Sequence, residues 1–313
     1  MRVKTMSKGR AKSERVVDAR KFQKQLGSLA NTLALKVERE APKLVKPIFA
    51  AADICVMLRQ SLSIYELFCF INADDRRKKD PDWKPAYSAA ILPLIRCMID
   101  CLYNITLILK RTGPMGYQFR ENGYKWALKS LDDDCRRYGG DPAWDSYTRR
   151  MRDVIHHSMA ADGITPIEVQ STKPWLTLSA YLRDKSDPSL APHKAFLREL
   201  AFVFWKEYSS MAHAAFNGLL LTALYYNPDI IPHEHREHFD TVVVERMIAV
   251  HVSRTAGLLL CTLTEVQAYF HFDDAHIDQR LHAVWKALLP VPEIKELHKK
   301  RYKKLMREKG INP

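Results

Sequence analysis

Apolar positions recur along this chain every three to four residues, almost from end to end. In residues 12 to 40, Phe22, Leu26, Leu29, Leu33 and Val37 follow that spacing through a charged segment, which predicts an amphipathic helix whose stripe needs a partner. Ala41-Pro42 ends it, because the residue before a proline is pushed out of the helical region. The same pattern predicts helices over Pro47 to Ile71, Tyr87 to Leu109, Tyr117 to Tyr138 and Trp144 to Met159. It resumes over His193 to Tyr226, Pro232 to Phe270, Ile277 to Leu288 and Ile294 to Lys309. Between these runs stand a charged turn, NADDRRKKDPDWKP (72 to 85), a break at Gly113, Pro114 and Gly116, and the turn Gly139-Gly140-Asp141-Pro142. Residues 160 to 192 hold four prolines and no long periodic run, so we read them as a loop with one short helix near Leu176 to Leu182, a candidate joint or lid. Asn-Gly and Asp-Gly pairs occur at 122, 162 and 217, none between alternating runs that would form a hairpin. The expected fold class is therefore all-α. A bundle spans 47–272 with its loop-rich insertion at 160–192, between a basic helical N-terminal arm (1–46) and basic C-terminal helices (273–313).

Composition changes this picture in two ways. With 313 residues, 47% of them hydrophobic, the chain can bury a large core. The net charge of +13 sits at the ends: residues 1–46 hold thirteen Lys or Arg against four acids, residues 293–313 hold eight against three, and the middle is near neutral. Such ends fit salt-sensitive contacts with a phosphate backbone, or equally two solvated basic helices. The six cysteines lie mostly in apolar segments without a CxxC pair and read as core residues of a reducing, cytoplasmic setting. No apolar stretch follows the basic N-terminus, so a secretory signal is not expected. The run AAILPLIRCMIDCLYNITLIL (89–109) has the length of a membrane span, yet Arg96 and Asp100 sit near its middle and no second span is evident. A buried helix without stable membrane insertion is expected.

The chemistry-bearing positions lie on two helices. Arg96, Asp100 and Asn104 follow at i, i+4, i+8, one face of the third helix, amid Leu92, Ile95, Ile99, Leu102 and Ile105. Trp205, Ser209, His213 and Asn217 repeat the spacing on the segment WKEYSSMAHAAFNGLLLTALYY. Two polar stripes on apolar helices are expected to face each other, with Asp100 pairing Arg96 and Ser209 or His213 completing a network. LPLIRCMIDCLYNI and WKEYSSMAH resemble the Arg-x3-Asp/Glu helix and the aromatic-x3-Ser-x3-His helix of an uncharacterised bacterial domain-of-unknown-function family with an all-helical, HEPN-like fold, over about residues 50 to 220. PWLTLSAYLRD (174–184) sits where such proteins carry a short Trp-containing helix. The resemblance implies functional positions at Arg96, Asp100, Ser209 and His213. It departs at Asp100, where Glu is commoner, and at Trp205, where Tyr is commoner.

HEPN proteins that cleave RNA without metal use Arg-x4-6-His, and MRDVIHHSM supplies Arg152 and His157 in that relation, at a helix end beside a loop. Arg246 and His251 repeat it by spacing alone. Cutting RNA needs a base for the 2′-hydroxyl, an acid for the leaving oxygen and a cation on the phosphate. One His and one Arg can cover these roles, often completed by a second subunit, so a homodimer is a natural partner state. The competing account of the Arg96, Asp100, Ser209 and His213 set is an interhelical network that fixes register. IPHEHREHF (231–239) lacks the second histidine of a zinc-protease motif, since Glu237 stands there. HFDDAH (271–276) reads as a helix cap by Asp273 or Asp274. No Walker A, GxGxxG or GxSxG motif occurs, and no cofactor or metal is called for. Two functions stand: a HEPN-like RNA-acting protein, with a metal-independent endoribonuclease of bacterial stress or phage defence as its sharpest form, and a non-catalytic nucleic-acid- or protein-binding module whose polar cluster is structural.

Overall fold

The computed structural model describes residues 19–80, 84–184, 191–212, 232–238 and 244–311, and among them every regular element is helical. The long helices are α1 (Gln23–Arg39), α2 (Ile48–Ile71), α3 (Pro85–Lys110), α4 (Thr112–Tyr138) and α5 (Pro142–Ala161). Next, α6 (Ala191–Leu200) runs through a π-helical turn, Ala201–Trp205, into α7 (Lys206–Ala212). The C-terminal half holds α8 (Glu245–Phe270) and α9 (Ala275–Leu288), followed by α10 (Pro292–Leu297), a second π turn at His298–Tyr302, and α11 (Lys303–Glu308).

The centre is a layer of three helices, α2, α3 and α8, each packed on the other two. From His251 to Ala268 only Arg254 escapes burial, so α8 has neighbours on every side, and its buried polar residues, Glu265 among them, must find partners within the bundle. The stripe of α1 finds its partner here: Leu26, Leu29, Leu33 and Val37 are buried against α2 and α8. Leu281, Val284, Trp285, Ile294 and Leu297 enter the same core from the C-terminal side. Both basic end segments, as far as they are described, thus place an apolar stripe in the bundle, with their charged side chains and a few apolar ones such as Leu35 and Leu44 facing solvent.

Three elements differ from the expectations. The break at Gly113, Pro114 and Gly116 is only a one-residue kink at Arg111 (φ −145°, ψ 72°), and α4 starts at Thr112. Pro114 is then the third residue of a helix, where its missing N–H costs no intrahelical bond. A Cβ at Gly116 would lie 3.2 Å from that of Ala50, so the glycine lets α4 cross α2 closely. The 160–192 segment holds two short helices rather than one, Pro166–Ser171 and Leu178–Arg183. The first is nucleated by a capping box, in which Thr165 Oγ1 accepts from the Glu168 amide (3.3 Å) and Glu168 Oε2 accepts from the Thr165 amide (2.7 Å). Third, the expectation of a single span-like helix is corrected: Ile48–Ile71, Ala86–Lys110 and Glu245–Phe270 are all long and apolar enough to cross a membrane by length and composition. Most of each of these windows is buried within the bundle.

The α4–α5 hairpin stands off the main layer over a second, small core of Phe49, Tyr124, Met159, Ile164 and Val169. Asp141 caps α5, accepting from the amides of Ala143 (2.8 Å) and Trp144 (3.4 Å). Asp274 caps α9 in the same way through His276 and Ile277, as the HFDDAH segment suggested.

Candidate functional site

As far as the second stripe is described, through Trp205 and Ser209, the two polar stripes lie on helices that meet, since α7 packs on α3. Arg96 forms an ion pair with Asp100 one turn on, and its guanidinium lies 4.9 Å from the centre of the Trp205 ring. The indole therefore engages the guanidinium through its face. The π turn that ends at Trp205 shifts the register of the helix at that position, a distortion often found at functional sites. Burial raises the Asp100 carboxyl above its ordinary value, and the Arg96 charge partly offsets this. Ser209 is buried on α7, while His213 lies outside the described residues.

The third member of the stripe, Asn104, reaches a different neighbour. Its Oδ1 accepts from Trp175 Nε1 at 2.9 Å, and Trp175 packs edge-on against Phe119. The strand of chain around Trp175 is stapled to α3 and α4. Tyr103 donates to the Leu176 carbonyl (2.8 Å), Asn122 Nδ2 donates to the Lys173 carbonyl (2.8 Å), and Asn122 Oδ1 accepts from the Trp175 amide (3.0 Å). Beside it opens a cleft of about 520 Å³ whose walls include Tyr103, Trp175 and Tyr181, with Lys110, Arg111 and Lys173 also lining it. The Tyr103 and Tyr181 rings meet edge to face, 5.8 Å apart. Asp184 is the acid among its lining residues.

Arg152 and His157 sit on α5, away from this cleft. Arg152 donates to Asp132 of α4 at 2.6 Å, and His157 is exposed. Five residues apart on a continuous helix, they point about 140° from one another. The hairpin tip, at the opposite end of α5 from His157, exposes a stacked pair, Tyr138 and Trp144 (4.6 Å), with Tyr147 edge-on to Trp144.

Other polar clusters escaped the sequence reading. Between α7 and α8, Tyr208 and His251 Nδ1 share a buried hydrogen bond of 2.7 Å, and Arg254 bridges Glu207 (2.8 Å) and Glu293 (2.8 Å). Burial and the neighbouring Arg254 lower His251 to about 3, so it is a neutral core ring. It is not paired with Arg246 in any catalytic geometry, since Arg246 is exposed. Near a groove of about 790 Å³ along α1, α2 and α4, Arg120 contacts both Asp53 (3.3 Å) and Asp162 (3.4 Å), and burial pushes Asp53 up to about 6. These clusters could not be read from spacing because each joins residues tens of positions apart. Among the described residues no group of three or more His, Cys, Asp or Glu side chains is placed to hold a metal. No protein-family model, curated protein or solved structure matches the chain.

Proposed function

We propose that the protein binds single-stranded RNA in the cleft between α3, α4 and the Trp175 segment, as a HEPN-like RNA-acting protein of the bacterial cytoplasm engaged in stress or phage defence. The observation that carries this reading is the cleft's composition: three aromatic side chains, the half-buried Trp175 among them, with three cations and one acid also lining it. Base–aromatic stacking contributes about 1–3 kcal/mol per base whatever the sequence, and lysine and arginine neutralise the backbone beside it. Exposed Lys299, Lys303 and Arg307 add a long-range attraction for polyanions from the C-terminal face. The biological setting rests on the resemblance of the two helix motifs, which is an analogy of fold.

Binding is favoured over cleavage because both candidate arginines are already engaged by acids, Arg96 by Asp100 and Arg152 by Asp132. A metal-independent endoribonuclease is the second reading. It draws on His157 together with Arg149 and Arg150, all exposed on α5, where the second copy of a homodimer has access to them. Labelled single-stranded RNA incubated with the full chain in EDTA separates the outcomes. Retarded, intact RNA is expected. Shortened RNA that disappears with His157→Ala supports the second reading, and RNA that is neither retarded nor cut overturns both.

A further inference from the structure

We propose that the RNA strand leaves the aromatic cleft along α4 and stacks a further base on Trp126, with Lys173 and Lys129 meeting its phosphates; this rests on the RNA reading of the cleft. Met115, Gln118, Asn122, Trp126 and Lys129 recur at three- and four-residue spacing, so they share one face of α4. Met115 and Gln118 line the cleft. Trp126 lies beyond Gln118 by about 12 Å along the helix axis. Between the two, the Lys173–Trp175 segment crosses this face: Gln118 Nε2 donates to the carbonyls of Lys173 and Pro174, both at 3.2 Å, and Asn122 Oδ1 accepts from the Trp175 amide. Lys173 lines the cleft and is exposed at that crossing. A strand seated on Tyr103 and Trp175 thus passes a cation and reaches Trp126 within a few nucleotides.

The fold itself makes no use of Trp126. It is 72% exposed, more than any other described tryptophan, although this residue type is highly buried on average. The packing of α4 falls to its other side, where Tyr124 and Leu131 are buried. The surroundings of the indole are basic. Lys125 precedes it by one residue and donates to the Gln170 carbonyl at 2.9 Å, a neutral acceptor that leaves its charge in place. Lys129 follows by three residues and is exposed. The acids of this stretch are Glu121, about 140° around the helix from Trp126, and Glu168, whose carboxylate is held by the Thr165 cap. Towards the hairpin tip Asp133 pairs with Arg136, and Asp134 and Arg137 are of opposite charge, so that end is neutral. An exposed aromatic face set between lysines suits a single strand, whose bases stack on the ring and whose phosphates meet the cations.

The test is fluorescence anisotropy of labelled oligouridylates of about 4 and about 12 nucleotides. They are titrated with the full chain, with Trp126→Ala, Trp126→Phe and Lys129→Gln, and with Trp175→Phe as the variant of the cleft. Trp126 and Lys129 are exposed, and alanine favours a helix, so thermal melts of their variants should match the parent. The longer strand is expected to bind more tightly than the shorter one, which the cleft alone holds. Trp126→Ala should weaken the longer strand roughly tenfold and leave the shorter one unchanged, and Trp126→Phe, which keeps a ring, should recover most of that loss. Lys129→Gln should lower the log–log salt slope by about one. Tyr147→Ala, at the exposed hairpin tip and off this face, should bind as the parent does.

Equal affinity of the parent for both lengths, parental affinity of Trp126→Ala for the longer strand, or an equal loss in Tyr147→Ala overturns the proposal. If Trp175→Phe still weakens binding in that case, the cleft reading survives alone. A loss in Trp126→Ala with parental binding by Trp175→Phe overturns the cleft reading and keeps Trp126 as the stacking site. No RNA binding by the parent overturns both. A dimer in sedimentation that Trp126→Ala turns into a monomer makes this face a contact between copies and likewise overturns the proposal.

Discussion

Replacing Arg96 by methionine keeps most of the aliphatic stem and removes the charge that links α3 to α7. Two interactions are lost. The ion pair with Asp100 is worth little, because the Asp100 side chain is 41% exposed and water can hydrate it once the cation is gone; such pairs contribute about 0.2–1 kcal/mol. The cation on the Trp205 face, partly shielded, adds about 1 kcal/mol. The expected cost of Arg96→Met is therefore about 1–2 kcal/mol. The same change at Arg301 strands Glu265, whose side chain is only 4% exposed, and is expected to cost about 3–5 kcal/mol. Urea unfolding followed by circular dichroism measures both. A double-mutant cycle of Arg96→Met with Asp100→Asn should give a coupling of no more than about 1 kcal/mol. If Arg96→Met costs as much as Arg301→Met, or if the coupling approaches 3 kcal/mol, the reasoning from exposure is wrong and the stripe is a buried structural pair.

Stability should fall in mild acid. His193 and His251 are held near 3 in the folded state, below their ordinary value, so below about pH 6.5 the unfolded chain takes up protons that the folded chain refuses. Their joint contribution is expected to drop by about 3 kcal/mol between pH 7.5 and 5.5, and His251→Gln should remove about half of that drop; an unchanged pH slope in this variant contradicts it. Gly257→Ala should cost about 1–3 kcal/mol, because the added Cβ would meet Ile294 Cδ1 at 2.7 Å, and Ile294→Val should recover part of the loss in the same melts. Lys299→Glu with Lys303→Glu should lower the salt slope of RNA binding while leaving the fold intact. Deleting the C-terminal segment instead should unfold the protein, since Ile294, Leu297 and Tyr302 are buried in its core.

Much of the bundle was legible because its helices carry their burial in their spacing. The Leu26, Leu29, Leu33 and Val37 stripe demanded a partner and has one, and the Pro and Gly punctuation fixed most helix ends to within a few residues. The errors came where local rules were read too strictly or missed: proline in the first turn of α4 is harmless, and the Thr165–Glu168 capping box went unread among the surrounding prolines. For the site, the i, i+4, i+8 stripe correctly joined Arg96 to Asp100 and brought its helix against α7. His213 falls outside the described residues. Spacing within a helix says nothing about partners on other helices, which is why Asn104 to Trp175 and His193 to Arg301 were invisible. The π turns that present Trp205 and Arg301 have no sequence signature in the periodicity used.

The central claim is that the aromatic cleft holds single-stranded RNA. Its most direct test is the affinity of one labelled oligoribonucleotide for the full chain, for Lys173→Glu and for Trp175→Phe, with thermal melts run in parallel. Lys173 is exposed and Trp175→Phe preserves a ring, so both variants should stay folded. The account predicts that Lys173→Glu weakens binding roughly tenfold and flattens its salt dependence, and that Trp175→Phe, which also frees Asn104, weakens it by several-fold. Binding of equal strength by all three proteins at the same salt, with unchanged melts, would contradict it.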